Sequence, residues 1–123
     1  MTDADASDPA HGQLGYLQIP AVDVGASARF YRHVFGWHVD GDRGFEAPGL
    51  IGQWVTDRSP ARDAGMLAWI HVDSIDAALQ LVRAHGGTVV EEPTADGPDR
   101  WLATVGDPAG NAVGIAQNGE RSV

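Results

Sequence analysis

Few residues of this chain combine the side chains and the spacing that catalysis requires. The sequence has five histidines and no cysteine, which excludes thiolate metal sites, disulfides and a cysteine nucleophile. It contains no nucleophile elbow, no glycine-rich phosphate loop and no close carboxylate dyad. His71 and Glu46 therefore remain as weak candidates for general acid–base catalysis, and the catalytic residues stay unknown at this point.

The histidines differ in the kind of segment that carries them. His71 lies in an extended run, where alternation places its side chain on the same face as Leu67 and Trp69. A metal-ligand role and a hydrogen-bonded or half-exposed histidine are both open for this residue, and the second is the simpler interpretation. For His33 and His85 on predicted helices, and for His11 near the N-terminus, we expect positions at the surface.

The elements that must position these residues come in two similar series. The first opens with a run that ends at Pro20, because proline cannot donate to a strand ladder. Asp23 then caps a helix, which Gly36 ends. Short extended runs between turn-forming residues complete the series at residues 37–41, 44–48 and 50–56.

The second series follows a polar linker over residues 57–65. Its first extended run leads to a helix that Asp73 or Ser74 caps and that Gly86 and Gly87 end. A tight turn at residues 107–111 joins the last two strands. The extended runs of this series cover residues 66–72, 88–93, 100–106 and 111–117.

A shift of 50 residues superposes the two series, with Asp23 on Asp73 and Gly36 on Gly86. This repeat predicts an α+β fold of two βαβββ modules, which form a curved mixed and antiparallel sheet cup with the helices on its outer face. We expect one domain. It would cover residues 13–118, with module one at about 13–58, module two at about 66–118, and flexible tails at 1–12 and 119–123.

Three motifs carry a resemblance to a known family. The segments VDVGASARFYRHVFGW, HVDSIDAALQLVRAHGGTVV and GDPAGNAVGIAQ occur in this order between Val22 and Gln117. Together they resemble the glyoxalase, bleomycin-resistance and extradiol-dioxygenase superfamily, also called the vicinal oxygen chelate superfamily, and a small single-domain member in particular. Members of this superfamily isomerise, epimerise, cleave aromatic rings or bind antibiotics, so the resemblance implies a fold and leaves the activity open.

The resemblance also implies where a metal would be bound. Metal-dependent members carry His or Glu ligands at four points, which fall on Tyr16, Gln53, Leu67 and Gly114 of this chain. Leu67 and Gly114 have no side-chain donor, whereas a divalent cation needs several nitrogen or oxygen ligands. We therefore expect no metal and no other cofactor; a divalent metal enters under the alternative function alone.

The same positions predict a cup with aromatic walls. Tyr16, Leu67, Trp69 and Trp54 would line it and hold a flat or aliphatic ligand, although packing of Trp54 against a helix is equally open. Polar side chains would orient the ligand. The full set of expected ligand-binding residues is Tyr16, Gln18, Gln53, Trp54, Leu67, Trp69, His71 and Gly114.

These observations favour a glyoxalase-like protein that binds a small molecule, an antibiotic or a metabolite, without the metal site of the family. The alternative is a lyase, isomerase or dioxygenase of the same superfamily with a non-standard metal or acid–base site. A net charge of -9 with 8 basic residues argues against nucleic acid and membrane surfaces as partners. We expect a cytoplasmic homodimer.

Overall fold

Each half of the sequence folds into one helix and one four-stranded sheet in the computed structural model, which describes residues 11, 13–61 and 66–121. The first module contains β1 (Tyr16–Pro20), α1 (Val24–Phe35), β2 (His38–Asp40), β3 (Gly44–Ala47) and β4 (Leu50–Val55). The second contains β5 (Trp69–His71), α2 (Ile75–Ala84), β6 (Thr88–Ala95), β7 (Arg100–Gly106) and β8 (Ala112–Asn118).

The two sheets have the same topology. Their strand orders are β1-β4-β3-β2 and β5-β8-β7-β6, and the first strand of each module pairs in parallel with the last. The remaining neighbours are antiparallel. The predicted α+β fold with two βαβββ modules is therefore confirmed, with two separate open sheets in place of one continuous sheet.

Helix caps show where the internal repeat shifts. The Asp23 carboxylate accepts a hydrogen bond from the Ala26 N–H, and the Ser74 hydroxyl accepts one from the Ala77 N–H. Ser74, not Asp73, is thus the cap of α2. The superposition of Asp23 on Asp73 was wrong by one residue, because α2 has one residue fewer than α1 between its cap and the left-handed glycine that follows it.

A single hydrophobic core joins the modules. Side-chain alternation gives each sheet one face covered by helices, where Trp54 and Ile115 are fully buried, and one open face. Phe30 of α1 and Val82 of α2 are also completely buried, and the two helices contact each other. Burying such a side chain contributes roughly 1.5–3 kcal/mol. The helices therefore hold the sheets in a fixed arrangement.

Polar contacts between the modules connect two of the sequence motifs. The Tyr31 hydroxyl of α1 donates to the Asp107 carboxylate at 2.8 Å, and the Asn111 amide donates to the Pro20 carbonyl at 2.7 Å. The same carboxylate accepts bonds from the N–H groups of Ala109 and Asn111, which closes the predicted turn. The F-Y pair of the first motif and the D-P-x-G-N turn of the third thus form one buried network.

One residue of the expected C-terminal tail contacts the domain. Arg121 lay in the expected tail, but its guanidinium makes a bidentate contact with Asp76 and stacks over Trp101 at 5.1 Å. Residues 1–10 and 62–65, which include part of the other tail and of the linker, lie outside the described residues. No helix in the described part of the chain is long and apolar enough to cross a membrane.

Candidate functional site

The open face of the first sheet carries two carboxamides side by side. Gln18 of β1 is paired in register with Gln53 of β4, and Tyr16 is paired with Ile51 one step along the same face. Neither glutamine side chain has a hydrogen-bond partner among the described residues. This patch offers uncharged donors and acceptors beside two exposed apolar side chains.

The equivalent place in the second module is filled by a tryptophan. Trp69 is paired in register with Gly114, and its indole lies so close that a Cβ at position 114 would clash with the ring. Trp69 nevertheless keeps 49% of its surface exposed. Gly114 therefore provides the space that the ring occupies, and a ligand-binding role for it stays a prediction.

Between β1 and β5 runs a groove of about 520 Å³, which we call the intermodule groove. Its described lining is largely apolar and includes Tyr16, Leu17, Trp37, Trp69, Ile70 and His71. Tyr16 and His71 are the titratable side chains in that lining. The groove thus brings together an aromatic ring from each module and one histidine.

Other expected site residues lie elsewhere. Trp54 is fully buried in the core, because it lies on the helix-covered face of β4; of the two placements left open for it, this is packing against the helix. Glu46 and Gln53 line a separate hollow with Asp40 and Asp42. Leu67 is partly exposed, and Gln18 lines a second, smaller cavity next to the groove.

Trp37 is a groove residue that the sequence analysis missed. It follows Gly36 directly, its N–H bonds to the Tyr31 carbonyl, and its ring stacks on Tyr31 at 4.8 Å. A hydrophobic residue just after the glycine that ends a helix commonly packs back on the last helical turn. That pattern was the available signal for Trp37.

Comparison with known proteins identifies the family. Residues 13–115 match the family model described as the Glyoxalase/Bleomycin resistance protein/Dioxygenase superfamily. The chain belongs to this superfamily. A Glyoxylase-like domain-containing protein of Didymella fabae is 30% identical over 101 residues, which cover 72% of this chain and 79% of that protein.

Further relatives within the superfamily show how far the likeness extends. A putative glyoxylase of Mycobacterium tuberculosis is 27% identical over 90% of this chain, and the match spans 48% of the mycobacterial protein. A crystal structure of a glyoxalase/bleomycin resistance protein/dioxygenase family enzyme from Burkholderia phytofirmans superposes with a TM-score of 0.72 at 19% identity, covering 87% of this chain and 99% of that one. The crystal structure of a glyoxalase/bleomycin resistance protein from Albidiferax ferrireducens superposes with a TM-score of 0.68 at 22% identity. The match covers 85% of this chain and 98% of that one.

The metal site that the superfamily implies does not fit the residues of this chain. The phenol of Tyr16 and the amide of Gln53 are the sole donors at the four positions, and the Trp69 ring covers the fourth, Gly114. Within residues 13–61 and 66–121, no group of three His, Asp or Glu side chains is placed to hold an ion. A divalent cation needs more ligands than this arrangement supplies.

Proposed function

We propose that this protein binds an uncharged small molecule with a flat group in the intermodule groove, without a metal at the superfamily positions. The observation that carries the proposal is the placement of two half-exposed rings, Tyr16 and Trp69, along one groove. Each ring lies on a strand, so a ligand finds it already oriented. Covering such rings removes a large apolar area from water.

The charge of the groove supports an uncharged ligand. The acidic residues of the first sheet, Asp40, Asp42 and Glu46, line a different hollow. The described lining of the groove contains no Asp, Glu, Lys or Arg side chain. An ionic ligand would lose its water there without gaining an ion pair, which is unfavourable.

A thermal-shift screen of neutral aromatic metabolites, followed by titration of tryptophan fluorescence, tests the proposal. We expect a hit to lose about tenfold or more in affinity in Trp69→Ala, because the ring supplies much of the contact area. Leu81→Ala is the matched control, since Leu81 is an exposed apolar residue of α2 outside the groove. A hit that binds equally well to Trp69→Ala would place the ligand elsewhere.

The metal-free part of the proposal has its own measurement. Protein grown with added nickel, zinc, manganese and iron is expected to retain a small fraction of an equivalent of each metal by plasma mass spectrometry. The support is the donor set at the four positions, of which Leu67 and Gly114 have no side-chain ligand atom. One equivalent per chain would contradict the proposal.

An enzymatic function is the second candidate, and the position of His71 favours it. The imidazole lines the same groove as Trp69, within reach of a ligand bound there. Glu46, the other predicted acid–base candidate, does not line the groove; it lines a neighbouring hollow that also contains Tyr16. Turnover of a bound compound that is abolished in His71→Ala, with binding retained, would establish this function.

We also propose that the chain forms a homodimer. β2 and β6, at the ends of the sheets away from the groove, each pair on one side only, and Ile51 and Val90 expose apolar surface outside the groove. Light scattering during gel filtration measures the mass directly. A monomer at micromolar concentration would contradict this part of the proposal.

A further inference from the structure

A second cavity continues inward from the intermodule groove. It has a volume of about 200 Å³ and lies between β1 and β5, and we call it the intermodule slot. Four residues line both the groove and the slot, so the two spaces adjoin: Leu17, Trp37, Ala68 and Ile70. The inner walls are completed by Ile19 and Val113, which are buried.

The polar side chains at the slot are largely occupied by bonds within the protein. The Tyr31 hydroxyl donates to Asp107, and the Asn111 amide donates to Asp107 and to the Pro20 carbonyl. The Asn111 carbonyl oxygen accepts from the Ala61 N–H. Gln18 also lines the slot, and its free carboxamide can bond to a polar linking group of the ligand. The other walls offer little to water, and an apolar chain fits against them best.

Charge points to the same ligand chemistry. None of the described residues that line the slot carries a charge, while the whole chain has a net charge of -9. A carboxylate would meet both repulsion from the chain and the cost of burial without a partner. The ligand group that enters the slot must therefore be neutral.

Hydrogen-bonding groups remain at the junction of slot and groove. The Ala21 N–H donates to the Val55 carbonyl of β4, and the Val72 N–H donates to the Ala116 carbonyl of β8. Because peptide groups alternate in direction along a strand, every second residue of β1 and β5 directs its N–H and C=O toward that neighbouring strand. The peptide groups of Gln18 and Trp69 alternate with these and face the free strand edges. A neutral amide or ester at the junction would find partners there.

From these observations we infer that the ligand is a neutral conjugate of a flat ring and an unbranched acyl chain. The ring lies against Tyr16 and Trp69 in the groove, the linking carbonyl lies at the strand edges, and the chain fills the slot. This inference rests on the proposed function and adds the slot and the ligand class to it. The residue whose enlargement would fill the slot and leave the groove unchanged is Ala112, which is small and lines the slot but not the groove.

Titration with 4-nitroanilides whose acyl groups grow from acetyl through butanoyl and hexanoyl to octanoyl tests the inference, with quenching of tryptophan fluorescence as the readout. We expect each added methylene to tighten binding about threefold to fourfold until the slot is full. Ala112→Phe, at a position that lines the slot and not the groove, is expected to remove this dependence on chain length while 4-nitroacetanilide still binds. Ala77→Phe, at an exposed position of α2, should behave like the wild type.

The possible outcomes separate the slot from the groove. If 4-nitroacetanilide binds in a Trp69-dependent way and longer chains bind no more tightly, the slot inference fails and the proposed groove stands. If the dependence on chain length survives in Ala112→Phe, the chain lies outside the slot and the inference fails as well. Absence of binding for every compound of the series, including 4-nitroacetanilide, would count against both proposals.

Discussion

At the candidate site, equivalent positions of the two modules carry polar side chains in one module and an aromatic ring in the other. Gln18 and Gln53 present two free carboxamides, whereas Trp69 and Gly114, at the matching register positions, present an aromatic ring packed on bare backbone. A ring of this size needs the absence of a side chain beneath it. The identity of residue 114 is therefore decided by residue 69.

A prediction for single residues follows from this packing. In Gly114→Ala the new methyl group occupies the space of the Trp69 ring, so the ring must move. We expect a loss of about 1–3 kcal/mol in the free energy of unfolding, together with weaker ligand binding in the groove. Thermal and urea unfolding measure the first effect, and fluorescence titration measures the second.

The double variant provides the control. With Trp69→Ala already present, Gly114→Ala should cost much less, because the atoms that it displaces are gone. Equal costs in the two backgrounds would show that the penalty comes from the glycine backbone and not from the ring.

The sequence alone predicted some site residues and left the placement of others open for identifiable reasons. Alternation along the strand places Trp69 and His71 on one face, and both line the groove. The same rule places Trp54 one step from Gln53, on the opposite face of β4, and that face is the one that α1 covers. Of the two placements open for Trp54, the face of the strand therefore favours packing against the helix.

At the level of elements, the helices are joined near their C-terminal ends by two histidines. The His33 ring of α1 and the His85 ring that follows α2 stack at 4.4 Å with 7° between their planes. Desolvation lowers the pKa of His33 from its ordinary value, and the nearby positive groups of His85, Arg32 and Arg29 lower it further. Arg83 of α2 is paired with Glu92.

This pair predicts a loss of stability on mild acidification. A histidine whose pKa is lowered in the folded state binds its proton more readily when unfolded, so its contribution is present above about pH 6.5 and declines as the pH falls below that value. We expect the melting temperature to fall between pH 7.5 and 5.5. His33→Gln should reduce that fall, measured by circular dichroism at constant ionic strength.

A second variant separates the stacked pair from general acid effects. Replacing His38, an exposed histidine of β2, by glutamine should leave the pH dependence as it is in the wild type. Identical pH profiles for His33→Gln and the wild type would show that the stacked rings do not set the response.

The order of the strands and helices was the most predictable feature of this protein. The N-terminal cap of α2 shows what local sequence signals could not decide. Turn residues, caps and periodicity mark every strand and both helices, because these signals act over a few neighbouring residues. Asp73 and Ser74 are both good caps, and the choice between them depends on where α2 packs against its sheet. The space between the modules depends on contacts far apart in sequence, which is why the slot was not predicted.

For the whole molecule, the Tyr31–Asp107 hydrogen bond links the two modules at the base of the slot. The hydroxyl is buried, and its partner lies 76 residues further along the chain. Burial raises the pKa of Tyr31 well above its ordinary value of 10.0, and the Asp107 carboxylate raises it further through its charge and its hydrogen bond. Tyr31 therefore stays a neutral donor throughout the range in which the protein functions.

The raised pKa predicts how the whole protein responds to alkali. In the unfolded chain Tyr31 ionises near pH 10, whereas the folded protein holds its proton, so folding becomes less favourable as the pH rises above about 10. In Tyr16→Phe, which leaves Tyr31 as the sole tyrosine, tyrosinate absorbance near 295 nm should appear together with the loss of near-ultraviolet circular dichroism.

Tyr31→Phe is the complementary variant. It should lose about 1–3 kcal/mol at neutral pH, because the Asp107 carboxylate gives up one of its donors, and its stability should decline less steeply above pH 10. Ionisation of Tyr31 in Tyr16→Phe while the circular dichroism stays native would mean that the hydroxyl is open to solvent. The slot would then be wet at its base, and the apolar chain proposed for it would lose its reason to bind there.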